Sequence, residues 1–139
     1  MAKIIPLEYL ETVVEHSISN MKRIKKELAL AEVIESVHFI SLAILNINLN
    51  TKEYADDFTK TIGGVLRDSD IICAKNGFIY LFLPGTNFEG VMDIMNDFKE
   101  FYDGIFDYVV AAYLLSDIKN TARILPDLRK LASDKGWKV

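Results

Sequence analysis

The side chains able to do chemistry in this sequence are few and scattered. His16 and His38 have no Cys, His or carboxylate nearby at a spacing that would complete a metal set. Cys73 sits inside an apolar stretch, where an inert buried thiol is expected. Glycine supplies no phosphate-cradling loop: Gly63-Gly64 falls within a helical pattern, and Gly85, Gly90 and Gly104 stand alone. Serine, histidine and aspartate all occur, but no local motif marks a nucleophile. What remains is the charged tetrad Arg67-Asp68-Ser69-Asp70. Its structural role is plain: a cation closing a helix favours the negative end of the dipole, and the residues after it turn into a strand.

A chain of 139 residues, 50% hydrophobic with seven Gly and three Pro, can bury a core without metal or disulfide staples. Its one Cys cannot form an internal disulfide. The first residues lack the basic, apolar and small-residue succession of a secretory signal, so a cytoplasmic location is expected. The longest apolar runs, such as Phe39 to Leu45, fall well short of the roughly 18 residues that cross a bilayer. A net charge of −4 weighs against nucleic acid as a partner, because it gives no global field toward phosphates.

The elements that would carry these residues follow from periodicity. Behind Pro6, placed as a first helical residue, Leu7, Leu10, Val14, Ser17, Met21, Ile24, Leu28 and Ala31 alternate by three and four. Residues 1–36 therefore read as a long N-terminal helix, and its seam suggests a homodimer through Leu7, Leu10, Val14, Met21, Ile24 and Leu28. Val13, Ile18 and Ile34 widen the stripe, so packing on the helix's own domain is the alternative. Lys22, Arg23, Lys25 and Lys26 lie between two acidic stretches and read as a solvated face.

Residues 37–139 form the main domain. Val37 to Ile47 is a buried central strand, and Tyr54, Phe58, Ile62 and Leu66 mark a helix from Glu53 to Arg67. Gly63-Gly64 inside that helix suggests close packing on a sheet. Alternating residues on either side of Asn76-Gly77 predict a tight hairpin between strands Asp70 to Ala74 and Phe78 to Leu83. A helix follows from near Asn87 to Gly104, then a strand from Tyr108 to Leu115 and a C-terminal helical region interrupted near Pro126. The sum is an α+β chain, a ferredoxin-like βαββαβ sandwich with a helix added at each end and both internal helices on one sheet face.

Several fragments in the right order make residues 38–139 resemble a divergent, degenerate GGDEF domain, the diguanylate cyclase-like fold of bacterial signalling proteins. Leu42 to Asn48 (LAILNIN) lies where that family has a strand ending in Asp-x-Asp, Val65 to Asp70 (VLRDSD) matches its helix end followed by Arg-x-x-Asp, and Leu81 to Thr86 (LFLPGT) resembles the strand and turn after its signature hairpin. Leu131 to Val139 (LASDKGWKV) is faintly similar to the family's C-terminal pattern. The resemblance implies two metal ions held by carboxylates at the first strand's end and in the hairpin. Here those positions are Asn46 and Asn48, and the signature falls on Asn76, Gly77 and Phe78. Neutral amides do not supply the anionic field that a hard dication needs. The guanine-contacting motifs are missing as well, and the phosphate-contacting lysine falls on Ser133. These departures imply a catalytically inactive regulatory or scaffolding module with no cofactor and an unidentified protein partner.

One family site keeps its spacing. Arg67 and Asp70 match the Arg-x-x-Asp that binds cyclic di-GMP in related proteins, Arg67 donating to a phosphate or guanine edge and Asp70 accepting from guanine N1 and N2. A cyclic di-GMP receptor is therefore the second reading. The third is an RNA-binding ferredoxin-like domain presenting Phe78 and Tyr80 to bases. Against it, Phe78, Tyr80 and Phe82 alternate with Ile79, Leu81 and Leu83, the pattern of a strand covered on both faces.

Overall fold

A computed structural model describes residues 1–28, 38–48, 52–101 and 106–139. It contains strands β1 (Lys3–Ile4), β2 (Phe39–Asn46), β3 (Ile71–Lys75), β4 (Phe78–Pro84) and β5 (Asp107–Leu114). The helices are α1 (Leu10–Leu28), α2 (Lys52–Val65), α3 (Phe88–Phe101) and α4 (Ile124–Asp134). The strands make one five-stranded mixed sheet in the order β1-β3-β4-β2-β5. Only β1 runs parallel to its neighbour; β2 lies antiparallel between β4 and β5, and β3 antiparallel to β4.

Both sheet faces are covered, which the alternation in β4 demanded. On one side Ala43, Leu45, Ile79, Leu81 and Leu83 meet Phe58 and Ile62 of α2 and Val91, Met95 and Phe98 of α3. On the other, Ile40, Leu42, Ile44, Phe78, Tyr80 and Phe82 meet Leu10, Val14 and Ile18 of α1 and Ile124, Leu125, Leu128 and Ala132 of α4. Each fully buried Leu, Ile or Phe contributes about 1.5–3 kcal/mol relative to exposure. β2 serves both layers at once, and every residue from Ile40 to Leu45 is buried.

The coverage revises three expectations. Leu10 and Val14, proposed for a dimer seam, are wholly buried in the protein's own core, while Leu7 and Met21 pack against it partly buried. A second chain reaches Leu10 or Val14 only if α1 leaves the sheet. The Leu28 side chain and the seam beyond it lie outside the described residues. Phe78 and Tyr80, at 7% and 2% exposure, are roofed by α1 and α4 and present no ring to a base. The Gly63-Gly64 pair is not forced by packing: a methyl at Gly63 would meet Ile72 Cδ1 at an ordinary 3.6 Å, and one at Gly64 would meet nothing within 4 Å.

Local chemistry sets the boundaries. Pro6 precedes a 3₁₀ turn over Leu7–Tyr9 before α1 begins. The Asn87 side chain accepts from Gly90 N at 2.8 Å and starts α3. Asn120 does the same for a 3₁₀ turn ahead of α4, accepting from Ala122 N at 3.1 Å. Pro126 does not break α4, because it lies in the first turn, where a missing N–H has no intrahelical partner to lose. The expected helix end at Gly104 lies outside the described residues.

Candidate functional site

At one end of the sheet, the end of β2, the β3–β4 turn and the first half of α2 converge. Asn46 faces Phe78 across the β2–β4 ladder. One residue on, Ile47 N donates to Gly77 O at 2.9 Å. Asn46 Oδ1 accepts from Asn48 N at 3.0 Å and from Asn48 Nδ2 at 2.8 Å, so the two amides close on each other. The turn residues have φ of 54° at Asn76 and 78° at Gly77, the left-handed pair of a type I′ hairpin. Gly77 packs flat against Asn48: a Cβ there would stand 2.0 Å from Asn48 Oδ1.

Asn48, Asn76, Gly77 and Phe78 thus line one cleft of about 430 Å³, together with Ala55, Asp56, Thr59 and Lys75. Asp56 and Thr59 escaped the reading of the sequence; their i, i+3 spacing on α2 is the signal that puts them on one helical face. The polar lining is amide, hydroxyl, one exposed carboxylate and the Lys75 ammonium. Such a set does not fit the dication pair of a cyclase, whose charge needs converging anionic oxygens. Among the described residues, no group of three or more His, Cys, Asp or Glu could hold a metal ion. The cleft can hydrogen-bond a small polar group.

Arg67 and Asp70 are brought together, but toward each other. Asp70 is buried at 1% exposure, and its Oδ2 accepts from Arg67 N at 2.8 Å, while Oδ1 accepts from Arg67 Nη2 at 3.0 Å. The same Nη2 donates to Pro84 O at 2.8 Å and Thr86 Oγ1 at 2.7 Å. The motif therefore closes the end of α2 and ties it to the end of β4. Nothing in the sequence around Thr86 signals its contact with Arg67, 19 residues away. The Arg67 side chain remains 53% exposed, whereas the Asp70 carboxylate has no open face for a guanine edge.

Elsewhere, burial pushes the Cys73 thiol up from 9.0 to about 11, as expected of an inert thiol. Asp107 is held below the usual carboxylate range by the hydrogen bond from Lys135 Nζ, 2.7 Å away. Among the described residues no helix is long and apolar enough to cross a membrane. Comparisons of the chain with protein families, curated proteins and solved structures find no match.

Proposed function

We propose that this chain is a catalytically inactive GGDEF-like domain acting as a regulatory or scaffolding module in the bacterial cytoplasm. Its support in the fold is the antiparallel set β3-β4-β2-β5, the strand order of a ferredoxin-like βαββαβ sandwich, flanked by α2 and α3 on one face. The observation that carries the reading is the Asn46–Asn48 amide pair, closed on itself against the Asn76-Gly77 turn where a cyclase holds its metals. The Asn46 carbonyl oxygen is taken up by the Asn48 backbone and side-chain N–H groups, and neither amide carries an anionic oxygen to offer the cleft. Fold alone does not assign function, and the partner is a protein not identified by this chemistry.

Incubation with GTP and Mg²⁺ or Mn²⁺ is expected to give no cyclic di-GMP, and calorimetric titration with cyclic di-GMP is expected to give no heat. Turnover abolished by Asn46→Ala or Asn48→Ala would overturn the reading. Saturable heat lost in Arg67→Ala, with the fold of that variant intact by circular dichroism, would replace it with the cyclic di-GMP receptor.

A further inference from the structure

The two edges of the sheet are built differently. On one side β1 is two residues long, covers only Ile71 and Ile72 of β3, and leaves Lys3 and Lys75 at the rim. On the other, β5 runs eight residues, pairs with β2 along its whole length and, among the described residues, carries no strand on its outer side. Edges are normally blunted by shortness, charge, proline or bulges. After Asp107, β5 reads YVVAAYL and has none of these, while Asp107 itself is held by Lys135.

The ladder shows which backbone groups face outward. Leu115 N donates to His38 O at 2.6 Å toward β2, and Phe39 O accepts from Gly85 N on the β4 side at 2.8 Å. Because backbone groups alternate sides along a strand, the odd positions of β5 bond β2, and Tyr108, Val110, Ala112 and Leu114 turn their N–H and C=O outward.

We propose that this edge pairs antiparallel with the same edge of a second copy, about a two-fold axis at Ala111. In that register Tyr108 faces Leu114 and Val110 faces Ala112, so the outward N–H and C=O groups of all these residues find partners. Centring on Val110 instead would set Leu114 against Phe106, outside the strand. Val109 then faces Tyr113, and Ala111 faces its own copy in a non-hydrogen-bonded pair. Cα atoms in such a pair are only about 4.5 Å apart, which suits a methyl side chain. The charge pattern agrees: Tyr108 to Leu114 is neutral, so no like charges meet, and Leu114, 44% exposed, gains an aromatic neighbour. A self-complementary patch of this kind is what a two-fold interface requires. The inference is independent of the cyclase-like reading, and it relocates the dimer contact from the buried seam of α1 to the sheet edge.

Sedimentation of the full chain over a wide concentration range is expected to show a dimer. Ala112→Pro removes an outward N–H without touching the β2 ladder, and is expected to give a monomer with an unchanged far-ultraviolet spectrum. If that variant does not fold, Ala112→Lys at the same exposed position blunts the edge and is expected to do the same. For the register, oxidation of Ala111→Cys is expected to give a disulfide-linked dimer, and Ala112→Cys is not. A wild-type monomer at the highest concentration, a dimer indifferent to the folded variants at Ala112, or linkage at Ala112 rather than Ala111 would each overturn the proposal.

Discussion

Asp70 is a buried carboxylate whose every described contact points back to Arg67, and that geometry decides what its removal does. Asp70→Ala leaves Arg67 N without its acceptor and removes the carboxylate that orients the guanidinium toward Pro84 O and Thr86 Oγ1, so a loss of about 1–3 kcal/mol is expected by chemical denaturation. Asp70→Asn keeps one carbonyl acceptor and is expected to lose less. Equal stability of all three proteins would remove the latch from the account. Cys73 gives a second residue-scale test, because the folded thiol is raised from 9.0 to about 11. The fold favours the neutral thiol, so this contribution is complete below pH 9.0 and is lost as pH rises through about 11. Native protein at pH 8 is therefore expected to resist alkylation until denaturant is added, and rapid native labelling would contradict the buried site.

At the scale of elements, the glycines separate two roles. Gly77 holds a left-handed φ of 78° against Asn48, so Gly77→Ala adds about 1–2 kcal/mol of backbone cost. It also meets the Asn48 amide, and Asn48→Ala is expected to relieve part of the loss, a coupling that a double-mutant cycle measures. Gly64 has open space and a helical backbone, so Gly64→Ala is expected to stabilise by about 0.5–1 kcal/mol. The hairpin was legible in the sequence because Asn-Gly chemistry and two-residue alternation agree. β1 was not, since two residues carry no period and its pairing with β3 is purely tertiary. The seam of α1 was visible as an apolar stripe, but a stripe states that a face is covered without naming the cover. Likewise the Arg67–Asp70 spacing suits a ligand clamp and a closed latch equally; only the burial of Asp70 distinguishes them. In the sequence, Asn46, Asn48 and the turn are grouped only through the family resemblance, whereas Asp56 and Thr59 join the cleft because tertiary packing sets α2 beside the turn.

For the whole molecule, the central question is whether α1 and α4 form a layer integral to the fold or an addition that could detach. The face they cover holds Phe78, Tyr80 and Phe82, whose exposure would leave a broad apolar surface on β4. The two layers also share β2, so neither core can be lost without stripping one side of the strand that organises the other. The single Trp reports this directly: Trp137 packs on Phe78 with ring centroids 6.0 Å apart, beyond the end of α4. Cooperative unfolding predicts that tryptophan emission and far-ultraviolet ellipticity change at the same denaturant midpoint. Leu128→Ala on α4 and Ile62→Ala on α2, both at 0% exposure, are each expected to cost about 2–5 kcal/mol and to shift the two probes together. An earlier tryptophan transition in Leu128→Ala, with ellipticity left behind, would instead reveal a detachable C-terminal layer and make the uncovered face of β4 a surface available to a partner.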